Sequence, residues 1–165
     1  MSSFDIPDLP IEDYEINNNI TEDVIKDESG GALVYAYIGT GQGGGRMAKA
    51  FYDLGYKKTL AINTSKNDLE LLDIPEEQKF YIDYYGDQGA GKDQKKSKIA
   101  FENREQEIFN KMKDIIGENV DRIMICAGIA GGSGGGSIVS LVHLAKKYFS
   151  YVGTNDASER VGVLA

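Results

Sequence analysis

The 165 residues include one cysteine, one histidine, three prolines and no tryptophan. Cys126 lies in an apolar run with no intrachain partner, which excludes a disulfide framework and suits a reducing compartment. His143 has no acidic or nucleophilic neighbour in sequence, so it reads as a structural residue on a helix. No apolar run approaches the ~20 residues of a membrane span, and the N-terminus lacks the basic-then-apolar order of a signal peptide. These absences point to a cytoplasmic protein with no membrane partner. Basic charge is also scarce where a nucleic-acid binder needs it. The net charge is −8, yet residues 1–33 hold nine acidic side chains and one basic (Lys26), leaving 17 of each sign in the remainder. A neutral domain without a basic patch argues against direct binding of nucleic acid.

Glycine is what the chain has in quantity, with 20 residues. The densest stretch, Cys126-Ala-Gly-Ile-Ala-Gly-Gly-Ser-Gly-Gly-Gly-Ser137, lies between an apolar run and a helix-like run, Ile138–Phe149. Glycine serves where backbone takes positive φ or comes close to a ligand, and a strand-to-helix turn aims free N–H groups at an anion. The stretch therefore reads as a phosphate-binding loop, followed by a helix apolar nearly all round and covered on more than one side.

In chain order, residues 1–32 form an acidic extension, either a flexible tail or an arm whose Phe4, Ile6, Leu9, Ile11, Tyr14 and Ile16 dock on a neighbouring subunit. Residues 33–165 form the domain. The apolar run Leu33–Ile38 predicts a strand that ends in Gly39-Thr-Gly-Gln-Gly-Gly-Gly45. A helix follows over Arg46–Leu54, with Met47, Ala48, Phe51 and Leu54 inward and Gly55 as its stop. A second strand, Lys58–Ile62, leads into Asn63-Thr64-Ser65 and a short helix over Asp68–Leu72. A third strand, Lys79–Tyr85, ends in Gly86-Asp-Gln-Gly-Ala-Gly-Lys92, and one long helix then runs to Ile116, stopped by Gly117. Arg122–Cys126 is the fourth strand and Arg160–Ala165 begins a fifth, so the stretch reads as the first part of a larger protein. Strands alternating with helices predict an α/β fold, a three-layer Rossmann-like open parallel sheet with helices on both faces.

Three families offer such loops. Gly39-x-Gly41-x-x-Gly44 fits a dinucleotide fingerprint, but Asn63 stands where a ribose-binding acid is needed. Gly86-x-x-x-x-Gly91-Lys92 copies most of a Walker loop, but Asp93 stands where Ser or Thr ligates Mg²⁺. The third explains all loops together. Gly131-Gly-Ser-Gly-Gly-Gly136 resembles the signature loop of tubulin and its bacterial relative FtsZ, with Ala130 in place of its first glycine and Gly135 in place of its second hydroxyl residue. Gly39–Gly45 resembles that family's first nucleotide loop, Ala61-Ile-Asn-Thr64 its second strand end, and Gly89-Ala-Gly91 its γ-phosphate loop. The chain is identified on these motifs as a divergent tubulin/FtsZ member, plasmid- or phage-encoded.

That resemblance implies a GTP- and GDP-binding domain whose protein polymerises with itself head to tail. Gly41, Gln42, Gly43 and Gly44, with Gly131, Gly132, Ser133, Gly134, Gly135 and Gly136, are expected to cradle the phosphates. Ala90 and Gly91 are expected to sense the γ-phosphate. Asn63 and Thr64, with Ser65, line the phosphate and metal side, Arg46 either adds a cation near the phosphate or ribose or is a solvated helix residue, and Gln42 and Asp68 hold Mg²⁺ or its water, unless Asp68 only stabilises its helix dipole. Lys92 with Lys95, Lys96 and Lys98 is either a solvated helix start or a partner for phosphate or an acidic subunit surface. No catalytic residue is assigned. Hydrolysis is expected only with a part of the neighbouring subunit that these residues lack, so the fragment alone binds without efficient turnover. A non-polymerising nucleotide-binding interaction module is the alternative reading, and a NAD(P)-binding oxidoreductase domain a further one.

Overall fold

The computed structural model describes residues 28, 30–84, 89–154 and 156–165. The acidic extension, with its tail-or-arm alternatives, lies almost wholly outside them. Five strands alternate with helices: β1 (Tyr35–Thr40), α1 (Gly41–Asp53), β2 (Thr59–Asn63), α2 (Lys66–Glu70), β3 (Lys79–Tyr81), α3 (Gln94–Asn103), α4 (Glu105–Ile116), β4 (Arg122–Ala127), α5 (Gly132–Tyr151) and β5 (Val161–Leu164). The strands form one sheet in the order β3-β2-β1-β4-β5, with every pair parallel. This is the predicted open parallel sheet. Its order reverses between β1 and β4, and in such sheets a crevice opens there, outside the carboxyl ends of the strands.

The period of two along each strand sorts side chains to opposite faces. Ala36, Ile38, Leu60, Ile62, Ile123 and Ile125 face the main core, with Phe101, Ile108, Met112, Leu141, Leu144 and Phe149 from α3, α4 and α5. On the other face Tyr37 and Cys126 meet Ala48 of α1, flanked by Phe51 and Tyr56, and Tyr37 stacks on Phe51 at 3.9 Å between ring centroids. Three layers result, and burial of these branched and aromatic side chains holds them together.

The predicted elements exist, with several corrections. The glycine runs at 41–45 and 132–136 are the first turns of α1 and α5, not loops. Glycine's poor helix propensity hides this in the sequence, and close packing of the two helix starts outweighs it. Helix α5 is covered on more than one side, as expected, by the sheet and by α1, α3 and α4, while Val139, His143, Lys147 and Ser150 face solvent. Leu54, expected inside, is 68% exposed. The single long helix is two, because Arg104 leaves helical geometry (φ −113°, ψ 14°) and its guanidinium bonds to Glu107 at 2.7 Å. The break lets α3 lie along α5 while α4 packs against β2 and α5. Strand β3 stops at Tyr81 because its partner β2 ends at Asn63, leaving no further ladder. Gly55 and Gly117 do end their helices, at φ +100° and +66°.

Burial pushes the Cys126 thiol up to about 11. Since the thiolate is the nucleophile, native protein at pH 8 is expected to resist alkylation by iodoacetamide, with full labelling only after unfolding. Rapid labelling of the folded chain would show that β4 is open to solvent.

Candidate functional site

A cleft of about 740 Å³ opens at the switch point, lined by residues 40–43, by Asn63, Ser65 and Asp68, by 89–92 and by 128–134. The three glycine-containing segments, distant in sequence, therefore meet at one place, together with the end of β2. The volume falls within the range of small-molecule sites, ~300–1,000 Å³.

Two helices start in its wall. Helix α1 has Thr40 and α5 has Gly131 at the N-cap, and in neither does a side chain cap the first turn. The Thr40 hydroxyl is buried and spent elsewhere, 2.7 Å from the Ser137 hydroxyl. Both helices thus present uncapped N–H groups and the positive ends of their dipoles to the same space, which favours an anion. The helices approach closely because Gly41 takes φ +68° and lacks a Cβ, which would stand 2.8 Å from the Gly134 nitrogen. Helix α3 differs, because the Asp93 carboxylate accepts from the Lys95 and Lys96 backbone N–H groups at 2.9 and 3.2 Å.

Buried hydroxyls tie the walls together. Ser137 donates to the Ser133 carbonyl at 2.7 Å, and Ser97 of α3 donates to the same oxygen at 3.2 Å. The Ser133 and Thr64 hydroxyls share a 2.7 Å bond, and Thr64 Oγ1 also accepts from the Ala90 N–H at 3.0 Å. This chain fixes the 89–92 segment to the end of β2 and to the start of α5. At the rim, Asp68 accepts from Gln42 at 3.2 Å and from Asn63 at 3.3 Å.

Of the residues expected at the site, Gly41, Gln42, Gly43, Asn63, Asp68, Ala90, Gly91, Gly131, Gly132, Ser133 and Gly134 line the cleft. Gly44, Arg46, Thr64, Gly135 and Gly136 do not. Gly44 packs on the Cys126 carbonyl, Gly135 on Gln94 and Ile129, and Gly136 on Gln94 and Ser97. Arg46 is exposed on α1, and Thr64 is buried behind the cleft as a support. Thr40 and Ile129 line the cleft without having been singled out. A hydroxyl residue between two glycines at a strand end was the available signal for Thr40. Ile129, 59% exposed at the lip, had none.

A doubly wound parallel sheet with two uncapped helix starts at its switch point defines an α/β domain of the phosphate-binding class. The family comparison narrows this. Residues 34–157 match the family described as Tubulin/FtsZ family, GTPase domain, and the chain belongs to that family. It is 31% identical over 144 residues to the tubulin-like protein TubZ of Clostridium botulinum C phage, a match covering 81% of this chain and 38% of TubZ. It is similar in structure to the GTPγS-bound protofilament of CetZ2 from Haloferax volcanii (TM-score 0.65, 26% identity, 80% of this chain and 39% of that one). It also resembles the GTPγS-form protofilament of TubZ from Bacillus thuringiensis serovar israelensis (TM-score 0.56, 25% identity, 76% and 35% covered). The chain thus spans less than two fifths of the length of these relatives. Membership of this family sets aside the oxidoreductase reading. No helix among the described residues is long and apolar enough to cross a membrane.

Proposed function

We propose that the chain is the GTP- and GDP-binding domain of a filament-forming tubulin-like protein that works in the cytoplasm and associates with itself head to tail. The observation that carries this is the pair of uncapped helix N-termini, α1 and α5, directed into one nucleotide-sized cleft. Gly41–Gly43 and Gly132–Gly134 would present backbone donors to the phosphates, backed by the helix dipoles. The relatives' protofilament structures support the self-association.

The residues present also fit magnesium. Mg²⁺ favours one or two carboxylates and completes its shell with phosphate oxygens and water. Asp68 with the Gln42 and Asn63 amides supplies that kind of donor set, and among the described residues no cluster of three or more His, Cys, Asp or Glu offers an all-protein cage. The ion would neutralise phosphate charge when bound, while Gln42 and Asn63 hold the Asp68 carboxylate in place. Asp68 is the only carboxylate among the described lining residues. Already engaged by two amides, it is poorly placed to activate water as well, so efficient hydrolysis would draw on a neighbouring subunit.

Light scattering of the whole protein that carries this domain, with GTPγS and with GDP, tests the assembly half of this proposal. A triphosphate-dependent rise that reverses on dilution supports it. A flat trace over a wide concentration range reduces the protein to a non-polymerising interaction module, whether or not its acidic extension docks on a partner.

A further inference from the structure

We infer that the acidic segment at residues 4–16 of one copy docks on the start of α3 in the next copy, an inference that rests on the head-to-tail self-association proposed above. The receiving surface is built into the fold. Lys95, Lys96 and Lys98 are exposed on α3, and Lys92 is exposed just before it. Between residues 92 and 98 the one acid is Asp93, and its carboxylate is taken up by the Lys95 and Lys96 backbone N–H groups. Lys95 makes no ion pair among the described residues, and Lys98 meets Glu102 at 3.8 Å between side chains 60% and 51% exposed, a contact that contributes little. The positive charge of this helix face is open to a partner.

Apolar surface lies beside that charge. Spacings of three and four residues put Lys95, Lys98 and Ile99 on one face of α3, and Ile99 is 47% exposed. Ile129, also exposed, belongs to the same place, because its carbonyl accepts from the Gln94 side-chain amide at 2.9 Å. A surface both basic and apolar fits a peptide that alternates acids with apolar residues. Residues 4–16 have that composition. Asp5, Asp8, Glu12, Asp13 and Glu15 are interleaved with single apolar side chains from Phe4 to Ile16, and no lysine or arginine falls among them.

The point where the chain enters the domain selects the copy. Glu28 donates its N–H to the Gly55 carbonyl at 2.9 Å, and its carboxylate lies 3.6 Å from the Lys57 ammonium. The root of the extension is therefore at the far end of α1, about 20 Å along that helix from the cleft. Helix α1 also packs on the opposite face of the sheet from α3. To reach its own α3 the segment would have to run back along α1 and then round the sheet. Head-to-tail association instead turns the far end of one copy toward the cleft end of the next, where α3 begins, and residues 17–27 span up to about 40 Å.

Charge reversal on each side tests the pairing in the whole protein that carries this domain: Lys95→Glu with Lys98→Glu, Glu12→Lys with Asp13→Lys and Glu15→Lys, and the two sets combined, with circular dichroism as the check on folding. Light scattering with GTPγS reads the protein concentration at which each assembles. Either set alone is expected to raise that concentration roughly five- to tenfold, and the combination to bring it back to within about twofold of wild type. Neither lysine lines the cleft, so fluorescent GTPγS should bind every variant as it binds wild type. Reversals that assemble like wild type, or a combination no better than either set alone, overturn the inference while leaving assembly intact. Lost GTPγS binding in the folded lysine variant would give those lysines to the nucleotide instead, and overturns it too. Carbodiimide crosslinking of an equal mixture of isotope-labelled and unlabelled wild type identifies the copy. Crosslinks from residues 4–16 to Lys95 or Lys98 that join labelled to unlabelled chains are expected, and crosslinks confined within single chains overturn the inference. A wild type that assembles at no concentration overturns the self-association reading itself, and this inference with it.

Discussion

Replacing Gly44 with alanine is expected to destabilise the domain although one methyl group is all that changes. Gly44 sits in the first turns of α1, and a Cβ there would run into the Cys126 carbonyl and stand 3.1 Å from the Ala127 Cα. Both are backbone atoms of β4, an interior strand of the sheet that lies between β1 and β5. No flexible side chain can move aside, so α1 must lift from the sheet. Overpacking of this kind costs about 1–3 kcal/mol and more when backbone has to shift. Alanine's helix propensity returns at most ~1 kcal/mol. The net expectation is a loss of about 2 kcal/mol, which in a domain of this size lowers Tm by roughly 4–8 °C. Thermal unfolding followed by circular dichroism measures it. A Tm equal to wild type would show that α1 does not lie against β4 as described.

Gly43, one residue earlier, is expected to behave in the opposite way. A Cβ at Gly43 would meet only Gly128, its Cα at 3.5 Å and its nitrogen at 3.8 Å, both ordinary contacts, and the residue lines the cleft. Leucine is a better helix former than glycine, so Gly43→Leu should fold with a Tm close to wild type. Its side chain would cover the start of α1 and keep phosphate from the N–H groups there. Because charged hydrogen bonds contribute about 1.5–3 kcal/mol each, losing one or two lowers affinity for a guanine nucleotide about 100-fold. Fluorescence polarisation on the folded variant reads this directly. Unchanged affinity would mean that the α1 start holds no phosphate. Gly134 is a poorer choice for separating binding from folding, because a Cβ there would lie 2.5 Å from the Gly128 carbonyl oxygen and disturb the cleft wall itself.

This contrast between adjacent glycines marks the limit of what the sequence reveals. Strand after strand ends in small residues, and that pattern was enough to anticipate a parallel sheet with its loops gathered at one edge. The resemblance to the tubulin/FtsZ family, not that pattern, put Gln42, Asn63 and Asp68 on one side of the site. What a run of identical residues cannot show is the purpose of each. Gly43 and Gly132 face the cleft, whereas Gly44, Gly135 and Gly136 exist for helix packing, and only the tertiary arrangement separates them. Thr64 was expected against the ligand and instead braces Ser133 and Ala90 from behind. Its buried hydroxyl became informative only once its partners, 69 and 26 residues away, were known. The break at Arg104 is hidden in the sequence for a related reason. Helical periodicity continues across it, and packing of α3 along α5 decides the bend.

The central claim is that the cleft between the starts of α1 and α5 holds a guanine nucleotide. Titration of the chain with a fluorescent GTP analogue, followed by competition with unlabelled GTP and with NAD, tests it most directly. Saturable binding reversed by GTP and untouched by NAD is the result predicted. Displacement by NAD alone, or no binding of the analogue at any concentration, would contradict it.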